Sequence, residues 1–252
     1  MNSVESGSSA ERLRSSYELS LASRRSPELA AEHLRKVVHA VSGKRFHVRK
    51  FLSETVSIGV EHDPKGSGFL LDEHRFEALT EDERPEIRYY GAVGLHAFVP
   101  KEPRKVVRYQ DFLVDSLYMD HGPLRSICLE TLIGVADCRG LFVTDELLDG
   151  LVSFLTPEHR NRIRKAALAL SVLAERGYVI PDLSNRFGEL FSANDEAVKL
   201  ESLEAYDLIL RSSPRSLEGT DGILSRLVEA GSNMEVKNEA EYLLESTEKN
   251  SL

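Results

Sequence analysis

Residues Ile87 to Leu95 read IRYYGAVGL, and the same phrase returns as LRSICLETL at Leu124 to Leu132 and as IRKAALALS at Ile163 to Ser171. Each copy opens on an aliphatic residue followed at once by a basic one. Working outward, the same dipeptide stands at Val48-Arg49, Val198-Lys199 and Val236-Lys237, so six copies follow one another at steps of 39, 37, 39, 35 and 38 residues. Four positions after the anchor come Leu52, Gly91, Cys128, Ala167, Ser202 and Ala240; eight after it come Val56, Leu95, Leu132, Ser171, Tyr206 and Leu244. Offsets of 0, 4 and 8 fall on one stripe of a helix. A small side chain at one fixed point per repeat lets that helix approach its neighbours closely. The third-position column is apolar at Phe51, Tyr90, Ile127 and Ala166 but acidic at Glu201 and Glu239, which predicts a stripe that narrows towards the C-terminus.

An earlier apolar segment precedes every such helix: Leu34 with Val37 and Val38, Phe76 with Leu79, Leu113 with Leu117, Leu151 with Leu155, Phe187 with Phe191, and Ile223 with Leu227. These read as the first helices of six pairs. Boundary signals accompany them, with Asp72 and Thr144 as N-caps, Thr156 ahead of Pro157 at a helix start, and a Ser232-x-x-Glu235 capping box. Nothing alternates with period two for long enough to specify a strand.

The aliphatic-basic start of the second helix and the small residue four places on resemble HEAT repeats, over residues 27–247. The resemblance implies an all-α, right-handed α-solenoid of about six HEAT-like, armadillo-like helix pairs. In such an elongated stack the second helices line the concave face. The steps are a little short of the usual spacing of about 40 to 47 residues. The Trp, Gly and Tyr signature of the shorter tetratricopeptide repeat is missing, and the chain has no Trp. HEAT arrays serve as scaffolds, adaptors, regulatory subunits and occasionally enzymes, so the architecture leaves function open.

Outside the repeats, residues 1–26 form a Ser- and Arg-rich tail in which Ser8-x-x-Glu11, followed by Leu13, Tyr17 and Leu21, predicts a short capping helix. Residues 1–8 are expected to be disordered, residues 248–252 to be a C-terminal tail, and Glu61 to Gly68 (EHDPKGSG) to be a mobile loop, with a second loop at Arg211 to Thr220. A chain of 252 residues, 41% hydrophobic and 29% charged, has ample material for a core. Its formal charge of -9 argues against a protein that coats nucleic acid. Cys128 and Cys138 make no metal-type pair, the N-terminus lacks the apolar run of a secretory signal, and no window approaches the roughly 18 apolar residues of a membrane span. The expectation is a cytoplasmic protein.

The column Arg49, Arg88, Arg125, Arg164, Lys199 and Lys237 supplies one cation per repeat. It serves either as a ladder for an acidic peptide or phosphate backbone, or as a set of structural ties to the turn acids Asp82, Asp120, Glu158 and Asp195. HEAT proteins characteristically use an Asp and Arg pair in the second way. Lys50, Lys165, Arg160 and Arg162 add positive charge in repeats 1 and 4. Tyr89, beside Arg88 and one position off the core stripe, is the preferred aromatic anchor.

Four dipeptides, Glu32-His33, Glu61-His62, Glu73-His74 and Glu158-His159, invite comparison with deoxyhypusine hydroxylase, a HEAT-repeat enzyme that holds two irons through His-Glu pairs at equivalent repeat positions. Here the order is reversed and the positions are inequivalent, so no metal site or cofactor is expected. HEAT-like alkylpurine DNA glycosylases use a basic concave face with aromatics and a carboxylate; Tyr90 and Tyr206 fall on the packing stripe instead. Cys128 reads as a buried packing residue. No glycine-rich phosphate loop occurs. The sequence thus predicts a non-enzymatic scaffold whose concave second-helix face binds a protein or peptide, acidic if the cation column is open. Its partner-binding residues are Arg49, Arg88, Tyr89, Arg125, Arg164 and Lys165. The alternative is a nucleic-acid-binding, glycosylase-like member of the same architecture.

Overall fold

The computed structural model describes residues 8–41, 45–73, 75–136, 138, 141–230 and 233–250, and among them every regular element is helical. They fall into two compact units, Met1–Gly140 and Leu141–Leu252.

The first unit opens on α1, Ser9–Arg25, started by the expected capping box: the Ser8 hydroxyl accepts from the Glu11 N–H, and the Glu11 carboxylate accepts from the Ser8 N–H at 2.7 Å. Two reciprocal bonds satisfy donors that a helix start otherwise leaves open. Helix α2, Pro27–Val41, pairs with α3, Phe46–His62. The second pair joins two single turns, α4 (Phe69–Asp72) and α5 (Glu77–Thr80), to α6, Pro85–Phe98. The third consists of α7 (Pro103–Val106), a 3-10 turn at Val107–Tyr109, α8 (Gln110–Leu117) and α9 (Gly122–Val135). Proline in the first turn of α6 and α9 starts both helices where its missing N–H does no harm, and the His121 side chain caps α9 by accepting from the Leu124 N–H at 3.1 Å.

Helices α1, α3, α6 and α9 lie side by side in that order, with the first-helix segments alongside. Close approach depends on the small residues. A Cβ on Gly59 would lie 3.0 Å from the Ala30 carbonyl carbon of α2, and one on Gly94 would lie 2.5 Å from the Phe76 ring.

In the second unit α10 (Asp145–Val152) pairs with α11 (Arg160–Glu175), α12 (Ser184–Phe191) with α13 (Glu196–Ser212), and α14 (Asp221–Ala230) with α15 (Met234–Asn250). Thr144 caps α10 by accepting from the Leu147 N–H, as expected. Tyr206 anchors the core between Phe187 and Phe191, with ring centroids 5.3 and 5.8 Å away, and its hydroxyl meets that of Thr220 at 2.7 Å.

The anchor column is buried throughout: Val48, Ile87, Leu124, Ile163, Val198 and Val236 are each less than 5% exposed, and the small-residue column is buried with them. Because Ala167 is fully buried, Ala167→Leu is expected to overpack its site and to lower stability by about 1 to 3 kcal/mol, measured by urea denaturation. An unchanged midpoint would place the residue at the surface.

Several local expectations are corrected. Tyr90, expected on the core stripe, is only half-buried, as are Phe51 and Ile127 at the same offset, whereas Ala166 is fully buried. In the last pair Leu243, not Leu244, is buried, a slip of one position. Asp72 ends α4 rather than capping a helix, and its carboxylate pairs with Lys105 at 2.9 Å. Thr156 precedes a 3-10 turn, Pro157–His159, with α11 starting at Arg160. The stretch Glu61 to Gly68 is a hydrogen-bonded turn rather than a loose loop: α3 runs through His62, Asp63 accepts from the Gly66 N–H at 2.9 Å, and Ser67 is buried. The second expected loop carries a 3-10 turn, Pro214–Leu217, that buries Leu217, followed by Gly219 at φ +86. Ser232 and residues 1–7 lie outside the described residues; α15 is capped by Asn233, whose side chain accepts from the Glu235 N–H at 2.8 Å.

Candidate functional site

Arg49 follows the first anchor and reaches across the boundary to the next repeat. Its guanidinium meets the Asp82 carboxylate of the next turn at 3.0 and 3.2 Å, with 20% of the Arg49 side chain and 7% of the Asp82 side chain exposed. This is the structural tie anticipated from the sequence. Arg49→Ala is expected to leave Asp82 with a single bond from the Arg84 N–H and to cost about 2 to 3 kcal/mol by urea denaturation. A loss below about 0.5 kcal/mol, typical of a neutral surface change, would mean that the pair is merely superficial.

Arg88 takes the same course one repeat later: it donates to the Ser116 hydroxyl at 3.1 Å and stacks over the Phe112 ring at 5.0 Å. Ser116 also meets the Cys128 thiol, so α6, α8 and α9 share one buried polar junction. Burial pushes the Cys128 thiol up to about 12. An inert thiol follows, and a thiol-alkylating reagent at pH 8 should label Cys128 only after unfolding; rapid labelling of the folded chain would contradict its burial.

Arg164 and Lys199 take partners other than the turn acids. Asp195 caps α13 by accepting from the Ala197 N–H, Lys199 pairs with Glu196 at 2.7 Å, and Arg164 crosses to Glu204 on α13 at 2.9 Å with both side chains largely exposed. Arg125 is half-buried in α9; Lys165 is exposed on α11. Thus Arg49, Arg88, Tyr89 and Arg125 belong to the first unit, and Arg164 and Lys165 to the second.

Tyr89 sits half-buried on α6, its ring 5.4 Å from Tyr90 and 6.2 Å from His121. Val93, one turn further along α6, and Ser126 and Glu130 on α9 are also half-exposed on these second helices. Tyr90 sits near Glu54 of α3, and burial together with that carboxylate pushes its phenol up to about 12. On the second helices of the other unit, Leu168 of α11 is 40% exposed and Tyr242 of α15 is 51% exposed.

A separate cavity of about 400 Å³ lies between α5, the start of α6 and the third repeat's first-helix segment. Glu77, Glu81, Asp111 and Asp115 line it together with Arg88, Arg108 and Tyr109, whose phenol burial and the nearby Glu77 carboxylate push up to about 12. The sequence offered no signal for it, because its walls come from two separate segments, residues 71–88 and 108–115. Glu54 was more legible: it is the one carboxylate inside the run FLSETVSIGV of α3, and it is buried.

As for metal ligation, Glu73 is held by Arg35 at 3.0 Å, and His74 lies outside the described residues. Among the described residues no three His, Cys, Asp or Glu side chains gather as metal ligands, and no helix is long and apolar enough to cross a membrane.

Comparison with known proteins adds the fold. No family model matches the chain, and no curated protein matches it in sequence. Solved structures do. A designed armadillo repeat protein in complex with the peptide (KR)4 superposes with a TM-score of 0.62 at 16% identity, covering 85% of this chain and 99% of that one. An engineered protein gives 0.60 at 18% identity, covering 86% and 98%. Computationally designed armadillo repeat proteins for modular peptide recognition give 0.52 at 15%, covering 93% and 99%. The chain therefore has the all-α, HEAT- or armadillo-like repeat solenoid fold.

Proposed function

We propose that this chain is a non-enzymatic scaffold that binds a protein or peptide through the solvent face of its second helices. The observation that carries the reading is the half-exposed Tyr89, set against Tyr90 and His121 on α6 and α9, on a fold whose designed counterparts include a peptide complex. Aromatic anchors with an apolar body and a polar tip are enriched in interfaces. Tyr89 and Arg125 form the binding set in the first unit, and Arg164 and Lys165 in the second. Arg49 and Arg88 contribute by holding adjacent repeats in register.

The charge arrangement favours a peptide over a nucleic acid. A phosphate backbone calls for a run of presented cations, and Arg49, Arg88 and Arg164 already engage Asp82, Ser116 and Glu204. An acidic partner would draw on the exposed Arg164 and Lys165 by exchange, and the Arg164–Glu204 pair contributes only about 0 to 1 kcal/mol. The reading includes a reducing, cytoplasmic setting, consistent with the buried thiol of Cys128.

Selection from a random peptide display library, run beside titration with a duplex DNA at physiological salt, tests this. The expected result is a family of related peptides that bind in the micromolar range or tighter, with weak DNA binding. No enriched peptide together with tight DNA binding would overturn the proposal in favour of the nucleic-acid reading.

A further inference from the structure

Helix α1 is attached to the repeats unlike any other long helix of the first unit. Its fully buried side chains are Ser16, Ser20 and Ser23, whereas Leu13 and Tyr17 remain exposed and Leu19 and Leu21 are only half-buried. Three serines bury little apolar surface, so with Leu19 and Leu21 only half-buried the hydrophobic contribution is smaller here than in the helices whose apolar stripe is fully buried. The cross-helix hydrogen bonds of Ser20 and Arg24 converge on one residue. Glu54 of α3, only 8% exposed, accepts from the Ser20 hydroxyl at 2.7 Å and from the Arg24 guanidinium at 2.9 Å. Tyr17 adds an edge contact to Phe51 with centroids 5.1 Å apart.

The same region contains groups whose burial works against the closed position of α1. Ser23 of α1 and Ser53 of α3 are fully buried, and their hydroxyls find no hydrogen-bond partner. Such groups regain water when the helix leaves. Release also rehydrates Glu54 and Arg24 together, so no buried charge is stranded. At the hinge, only Ser26 separates α1 from Pro27 at the start of α2.

We infer that α1 is a detachable gate: it opens from α3 as a unit while α2, α3, α6 and α9 stay folded, and its opening extends the exposed second-helix row to Phe51 and Glu54. The latch is the Ser20–Glu54–Arg24 contact. Release presents an aromatic ring and a carboxylate next to Tyr90, at the first-repeat end of the row.

Hydrogen exchange followed by mass spectrometry on the full chain tests the gate. The amides of residues 12–25 are expected to exchange together, at least about tenfold faster than those of α3 and α6, as a low-energy local opening does. Glu54→Gln and Arg24→Ala should each speed α1 exchange further by about threefold to tenfold, the range expected for a half-exposed ion pair and its hydrogen bonds, with α6 and α9 unchanged. Raising the salt concentration should act in the same direction on the wild type and much less on Arg24→Ala. Protection of α1 equal to that of α3, or simultaneous loss of protection in both helices when the latch is cut, would overturn the proposal.

Discussion

Phe76→Ala is expected to lower the stability of the first unit by about 3 to 5 kcal/mol, the range for truncating a fully buried phenylalanine. The ring is completely buried between the second and third pairs. It meets Phe98 at 5.9 Å and Tyr109 at 6.3 Å, and it presses on α6 at Gly94, where no Cβ is present. Its segment consists of two single turns, α4 and α5, rather than one helix, and is seated by Phe76 together with the buried Leu70, Leu71 and Leu79. The ring is the largest of these anchors, and its removal leaves a void between the second and third pairs. Urea denaturation followed by circular dichroism reads the effect. Lys50→Ala serves as the control and should stay within about 0.5 kcal/mol. A loss under about 1 kcal/mol for Phe76→Ala would mean that the second pair is organised around other contacts.

The matching expectation in the second unit is Tyr206→Ala, again at about 3 to 5 kcal/mol. Tyr206 is fully buried, packs edge-on to Phe187, and bonds through its hydroxyl to Thr220, which itself donates to the Leu217 carbonyl at 2.7 Å. The residue thus joins α13 both to the first helix of its own pair and to the turn that leads into the last pair. Tyr206→Phe separates the two contributions: it keeps the ring and should lose only about 0.5 to 1.5 kcal/mol, the usual worth of one hydrogen bond. Equal losses for both variants would show that the hydroxyl, not the ring, holds the site.

These two residues also mark how far the sequence could be read. Tyr206 stood on the eighth-position column beside Val56, Leu95 and Leu132, and the helical period placed it in the core. Phe76 was assigned to a first helix, but one continuous helix was expected where the chain makes two turns. Periodicity reports which residues are buried; it does not report whether the backbone between them is unbroken. Tyr90 shows the opposite difficulty. Its column looked like core, yet at that offset the side chain lies at the margin between successive second helices, where Phe51 and Ile127 are half-exposed too.

Site residues divide in the same way. Arg49 and Asp82 were legible as a pair because a cation after the anchor and an acid in the following turn recur by design of the repeat. Arg164 occupies the identical register but pairs with Glu204 of α13 at 2.9 Å. The attachment of α1 was visible only as a capping box. The spacing of Leu13, Tyr17 and Leu21 pointed to a different side of the helix from the one that is buried: Ser16, Ser20 and Ser23 face inwards, and Leu13 and Tyr17 are exposed. The cavity lined by Glu77, Glu81, Asp111 and Asp115 requires two segments to be brought together in space, which no local pattern encodes.

The claim that the second-helix face binds a peptide is tested most directly by the affinity of one display-selected peptide for the wild-type chain and for the double variant Tyr89→Ala with Arg125→Ala, measured by isothermal titration calorimetry with melting curves run in parallel. A hot spot on this face predicts a loss of at least about thirtyfold, equivalent to about 2 kcal/mol, with the fold intact. Undiminished affinity in a folded double variant would contradict it.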